Sequence, residues 1–292
     1  MPVLEEKVVI VTGAGRGIGR SIALAAAAEG ARVVVADYGT ALDGSAPDPQ
    51  IAEGVVSEIR DRSGSAIGVT NSVAAIEGAA AIVDAALRAW GRLDGVVCCA
   101  GILRHRPFLE LSEFDFDAVI ATHLKGHFLM FQRGLAAMAR LGNGGSLIGI
   151  GSGYVLGDPG RAPYRTAKAG IVGLTKSVAL AGQEYGVRAN VISPIADTRM
   201  TKASQLEIGA GPDDIGPMAV YLLSDRSAAI NGEVFSVSGQ SIASWEDPHE
   251  KRSARNPHRW RQEEIHAALP WLRGEGPPMV PAMPHLLPPQ QD

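Results

Sequence analysis

Short β-branched runs alternate with longer alanine-rich stretches from Val8 to Val237, and that alternation decides the architecture. The runs fall at 8–11, 32–36, 66–69, 93–98, 146–149, 188–192 and 234–237. The intervening stretches 21–29, 51–62, 76–90, 114–140, 163–185 and 213–224 read as amphipathic helices. No hairpin signal joins two runs, so each strand returns through a helix, and the sheet is parallel and covered on both faces. Right-handed crossovers then give an α/β, doubly wound, seven-stranded parallel sheet. Residues 39–50, rich in Gly, Pro and Asp, read as a long loop.

Composition narrows the class. Of 292 residues, 46% are hydrophobic and 20% charged, which excludes a disordered chain. The net charge is −4 and no basic run precedes residue 250, so no nucleic-acid surface is expected. The two cysteines, Cys98 and Cys99, are adjacent and cannot staple distant segments. No metal-ligand spacing occurs, so no metal is expected. No stretch approaches the roughly 18–20 apolar residues of a membrane span. The first residues lead straight into a strand without a secretory h-region, and the expectation is a cytoplasmic protein away from membranes. Composition shifts near Trp245, and residues 246–292 are rich in Pro, Arg and His. The division is therefore a body over 1–245 and a C-terminal extension over 246–292, with one short helix near 262–269.

Thr12 is followed by Gly13-Ala14-Gly15-Arg16-Gly17-Ile18-Gly19, directly after a strand and opening a helix. Such a turn lets the backbone approach a pyrophosphate, whose charge sits at the helix N-terminus. This is the dinucleotide turn of a Rossmann-type fold. Asp37 closes the second strand, where a carboxylate accepts bonds from both ribose hydroxyls and repels a 2′-phosphate. NAD is therefore expected over NADP, with Arg16 as the dissenting cation.

Tyr164 and Lys168 lie four residues apart on one helical face. A phenol titrates near pH 10 and is a poor proton-transfer group at neutrality. A neighbouring ammonium stabilises the phenolate. Ser152 follows the strand at 146–149, where its hydroxyl could hold a substrate oxygen.

These motifs, with Ala100-Gly101, Ser193-Pro194 and Leu222-Leu223-Ser224-Asp225, resemble the short-chain dehydrogenase/reductase family over residues 5–243. The loop at 39–50, Gly101-Ile102-Leu103-Arg104, His123-Leu124-Lys125-Gly126 and Thr198-Arg199-Met200-Thr201 are most similar to one branch. It contains the hydroxyacyl-CoA dehydrogenase units of peroxisomal multifunctional enzymes and their bacterial relatives. The resemblance implies Tyr164 as general acid/base, Lys168 as its activator and ribose ligand, and Ser152 polarising the carbonyl. It implies Asn71 and Ser72 beside the adenine, and Ile195 and Thr198 beside the carboxamide. His123 occupies the position of a relay Asn, a role that uses its main-chain carbonyl and leaves a direct role for the ring open. His127 reads as packing.

Cys98-Cys99 replace the family's Asn-Asn and read as buried volume. The loop before Tyr164 is one residue short, and the span between Met200 and Pro212, a lid in relatives, is also short. The expected activity is interconversion of a secondary alcohol and a ketone. Its substrate is either a hydroxyacyl thioester or a bulky natural-product or steroid-like alcohol. The alternative is a catalytically silent dinucleotide-binding sensor or scaffold. The helices at 114–140 and 163–185 carry surplus apolar residues (Phe128, Met130, Phe131, Ile171, Val172, Leu174, Val178, Leu180), which predicts a homodimer or homotetramer. The extension is expected to dock on the body or a neighbouring subunit through Trp260, Trp271, Leu272 and Met279, near Met200 and Tyr154.

Overall fold

The computed structural model describes residues 2–153, 160–202 and 209–275. Tyr154, the middle of the short span after Met200, and Met279 lie outside the described residues. The first unit, Met1–Trp245, contains the sheet. Its strands are β1 (Val8–Thr12), β2 (Arg32–Ala36), β3 (Ser65–Val69), β4 (Gly95–Cys98), β5 (Gly145–Ile150), β6 (Val187–Pro194), β7 (Val234–Ser238) and β8 (Ser241–Ser244). The spatial order is β3-β2-β1-β4-β5-β6-β7-β8. The connecting helices are α1 (Gly17–Ala28), α2 (Gln50–Asp61), α3 (Ile76–Trp90), α4 (Glu113–Ile120), α5 (Gly126–Leu141), α6 (Ala162–Gly182), α7 (Arg199–Lys202) and α8 (Gly216–Leu223).

Strand periodicity divides the core into two layers. Val9 and Val11 of β1, with Val33 and Val35 of β2, face one cluster, closed by Ile22 of α1, Val56 of α2 and Leu222 of α8. Val8, Ile10 and Val34 face the other, closed by Ile82 of α3 and Met130, Phe131 and Met138 of α5. Every residue of β1 is buried, which is why its sequence is an unbroken β-branched run. Each such side chain contributes about 1.5–3 kcal/mol by leaving water.

Seven strands are parallel as expected, and an eighth extends the sheet. β8 pairs antiparallel with β7, with Ser238 opposite Ser241. The turn is two residues, Gly239-Gln240, with Gly239 at φ +52°. Glycine at the first central position is what a type II′ hairpin requires. This short signal lies inside Ser-Gly-Gln, and the expectation of no hairpins missed it.

The helical region expected over 114–140 is continuous but not uniform. A π turn over Ala121–Lys125 separates α4 from α5 and carries His123. Most of the apolar surplus expected on this region and on 163–185 is also accounted for: Met130, Phe131 and Ile171 are fully buried against the chain's own sheet. Phe128 and Leu180 remain exposed, at 45% and 70%.

The second unit, Glu246–Asp292, holds α9 (Gln262–Arg273), one turn longer than expected. The Arg261 N–H donates to Glu264 Oε2 at 2.9 Å, closing the first turn. Trp271 is engaged within this unit. Its indole donates to Ser253 O at 3.3 Å, and the Arg252 guanidinium lies 4.5 Å over its ring.

Candidate active site

The strand order reverses direction between β1 and β4, so the loops after these two strands part and leave a crevice at their carboxyl ends. A cleft of about 640 Å³ occupies it. Gly13, Arg16, Gly17, Ile18, Gly19, Asp37, Asn71, Ser72, Ala100, Gly101, His123, Ser152, Tyr164, Lys168, Pro194, Ile195 and Thr198 all line this one cleft.

The glycine turn fits a dinucleotide. A Cβ on Gly19 would lie 2.1 Å from the Gly13 carbonyl oxygen, so only glycine allows helix α1 to start so close to β1. The N-terminus of α1 has no side-chain cap and no acidic residue in its first turn. Its N–H donors are thus left for an anion. At the far end, Asp37 Oδ2 accepts the Gly15 N–H at 2.7 Å and Oδ1 accepts the Gly39 N–H at 2.6 Å. These two bonds fix the carboxylate at the rim. Arg16 Nη1 donates to Thr40 O at 3.0 Å, which ties that cation to the loop after β2.

Ser152 stands just beyond the carboxyl end of β5, and Tyr164 and Lys168 project from the first two turns of α6. Lys168 is 4% exposed and its Nζ donates to the Ile150 carbonyl at 2.5 Å. Burial pulls its ammonium down to about 8. Burial likewise raises the Tyr164 phenol above its ordinary value in the free chain. Three groups act against that rise: a hydrogen bond from Ser152, then the charges of Arg165 and Arg161. The expected pull from Lys168 is not among them. Its Nζ lies 5.5 Å from the phenol ring centroid and is turned to Ile150.

His123 sits edge-on to Tyr164, with ring centroids 5.3 Å apart. Its Nε2 lies 2.8 Å from Ile102 O, and its buried Nδ1 has no hydrogen-bond partner. Burial pushes the ring down to about 3, so it is neutral. His127, expected as packing, bridges two main-chain groups. Its Nδ1 lies 2.6 Å from the His123 carbonyl oxygen, and its Nε2 accepts the Ile150 N–H at 3.3 Å. The carbonyl expected to hold a relay water therefore already receives an imidazole N–H.

Thr198 caps α7, its Oγ1 accepting the Met200 N–H at 3.2 Å. Cys98 and Cys99 are unpaired and lie at the end of β4. Burial pushes the Cys99 thiol up to about 12, which fits inert volume rather than redox chemistry. Thr12 partly supplies the bracing an Asn would give, since its Oγ1 accepts the Ala100 N–H at 3.3 Å.

Sequence reasoning passed over Arg161 and Arg165, which line the same cleft beside Tyr164. The only signal was their place in sequence, Arg161 at the start of α6 and Arg165 between Tyr164 and Lys168. Among the described residues, no group of His, Cys, Asp and Glu could hold a metal. Among them too, no helix is long and apolar enough to cross a membrane.

Known proteins share this arrangement. A solved short chain dehydrogenase from Mycobacterium avium superposes with a TM-score of 0.84 at 40% identity, covering 96% of this chain and 98% of that one. A hydroxyacyl-CoA dehydrogenase of Mycobacterium tuberculosis is 36% identical over 284 residues, 91% of this chain and 88% of that protein. The (3R)-3-hydroxyacyl-CoA dehydrogenase of Rattus norvegicus is 34% identical over 254 residues, 81% of this chain and 96% of that protein. Peroxisomal multifunctional enzyme type 2 of Mus musculus is 36% identical over 245 residues, which are 82% of this chain but 33% of that protein. The family model described as short chain dehydrogenase matches residues 7–208. With that match laid over the cleft, the chain belongs to the short-chain dehydrogenase/reductase family and is a nicotinamide-dinucleotide-dependent oxidoreductase.

Proposed function

We propose that the protein interconverts a secondary alcohol and a ketone with NAD(H), with Tyr164, Lys168 and Ser152 as its working residues. The observation that carries this reading is the convergence of the three side chains in the cleft that also holds the glycine turn. The bound dinucleotide supplies the hydride acceptor or donor. Ser152 holds the substrate oxygen by its hydroxyl. Tyr164 Oη takes the proton of that oxygen on oxidation and returns it on reduction. Arg165 and Arg161 favour the phenolate that this transfer requires, and Lys168 is assigned to the ribose of the dinucleotide.

The substrate reading favoured is a hydroxyacyl thioester, because relatives matching most of this chain are named for that chemistry. NAD is favoured by the carboxylate of Asp37, held at the rim by two backbone donors. The oligomer is a homodimer or homotetramer, for which exposed Phe128 and Leu180 provide apolar surface. Two unpaired thiols suit a reducing compartment such as the cytoplasm.

Steady-state assay with acyl-thioester and cyclic ketones, using Tyr164→Phe as control, tests the reaction. We expect turnover by the unmodified protein and loss of about 10²–10⁴-fold in the variant, with NADH affinity retained. Tight NADH binding without turnover of any ketone would leave the silent sensor instead. Cofactor choice has its own test. Asp37→Ala should narrow the preference for NAD by raising kcat/KM with NADP. An unmodified enzyme that already works as well with NADP would overturn the assignment.

A further inference from the structure

Arg165 follows Tyr164 on α6, yet its guanidinium turns back over the neighbouring loop. Its Nη1 donates to Ser152 Oγ at 3.3 Å and to the Gly153 carbonyl at 3.0 Å. Its Nε is buried without a hydrogen-bond partner. A side chain that leaves a buried donor unpaired gives up free energy that an ordinary surface arginine keeps. What it gains here is a cationic contact with the Ser152 hydroxyl.

A serine hydroxyl has one proton to donate and two lone pairs to receive with. Once a guanidinium occupies one lone pair, the hydroxyl proton is directed elsewhere, and Ser152 hydrogen-bonds Tyr164. A charged donor also polarises the O–H it contacts, which strengthens the next bond in the chain. Among the described residues, the groups facing Tyr164 are few. His123 comes from the π turn and is neutral, and Ser152 comes from the loop after β5. The fixed positive charges, Arg161, Arg165 and Lys168, all lie on or at the start of α6, and Arg165 acts on the phenol ahead of Arg161.

We propose that Arg165 is a positioning residue of the reaction: it orders the Ser152 hydroxyl as a donor and sets a positive charge beside the Tyr164 hydroxyl. This rests on the roles given above to Ser152 and Tyr164. It divides between two residues a task that the sequence pattern assigns to Lys168 alone.

The test has one arm that needs no substrate. Phenolate absorbance is titrated in the full-length protein and in Tyr164→Phe, and the difference isolates Tyr164. The same pair is then measured in the Arg165→Met background. Removing the charge should move the Tyr164 midpoint up by about one pH unit. The second arm is a kinetic cycle. Arg165→Met should lower kcat about 10–100-fold with unchanged NADH affinity, since a charge-assisted bond is lost. In a Ser152→Ala background the same substitution should cost much less, because the partner it orders is gone. Arg165→Lys keeps the charge but not the reach, so it should preserve the midpoint and still lower kcat. It also carries the test if the Met variant fails to fold. An unmoved midpoint, or losses that add fully in the double variant, overturns the proposal. Absence of turnover in the unmodified protein would instead overturn the function on which it rests.

Discussion

Lys168 pays for its position in the interior, and the cost can be read as a dependence of stability on pH. Its ammonium is buried against the Ile150 carbonyl and titrates at about 8 instead of 10.5. The folded state therefore binds this proton less well than the unfolded chain does. The penalty is full below pH 8 and fades as pH rises to 10.5. At 1.36 kcal/mol per pH unit this amounts to about 3 kcal/mol. The stability difference between Lys168→Met and the unmodified protein should thus shift by that amount between pH 7 and pH 10.5. The shift favours the variant at the lower pH. Denaturant melts at both pH values check it, and a pH-independent difference would contradict the buried ammonium. The sequence placed Lys168 and Tyr164 on one face correctly, because four-residue spacing fixes that. It could not give the direction of the Nζ, which is set by where β5 ends. The contact of Arg165 with Ser152 was illegible for the same reason.

Elements were legible where one force dominated. Buried strands such as β1 and β2 announce themselves by continuous valine, and the helix over Ile76–Trp90 by its spacing and its closing Gly91. The π turn left no such mark. Ala121–Lys125 has the composition of any helix, and its register is imposed by the packing of His123 against Gly101. A Cβ on Gly101 would lie 2.3 Å from that ring, so the loop after β4 and the π turn form one fitted pair. The hairpin between β7 and β8 was missed because a two-residue turn can hide within one Ser-Gly-Gln.

At the scale of the whole molecule, the doubly wound parallel sheet is legible in the sequence, while assembly is not. Surplus apolar residues on α5 and α6 turned out mostly to serve the chain's own core, since hydrophobicity alone does not say which partner a face meets. The extension over 246–292 remains, on our reading, a cover for the substrate mouth of its own or a neighbouring subunit. Truncation after Ser244 should raise KM for substrate and leave NADH affinity little changed. Light scattering on both forms should return a dimer or tetramer. Unchanged substrate kinetics would remove the extension from the active site, and a monomeric mass would refute the assembly.

The hairpin at the sheet edge bears on that cover through direction alone. β7 runs toward the carboxyl-end cleft, and β8 reverses it, bringing Ser244 opposite Phe235. Four residues of strand carry the chain back by about 13 Å. Ser244 therefore lies at the amino-terminal end of β7, at the opposite end of the parallel strands from the cofactor turn.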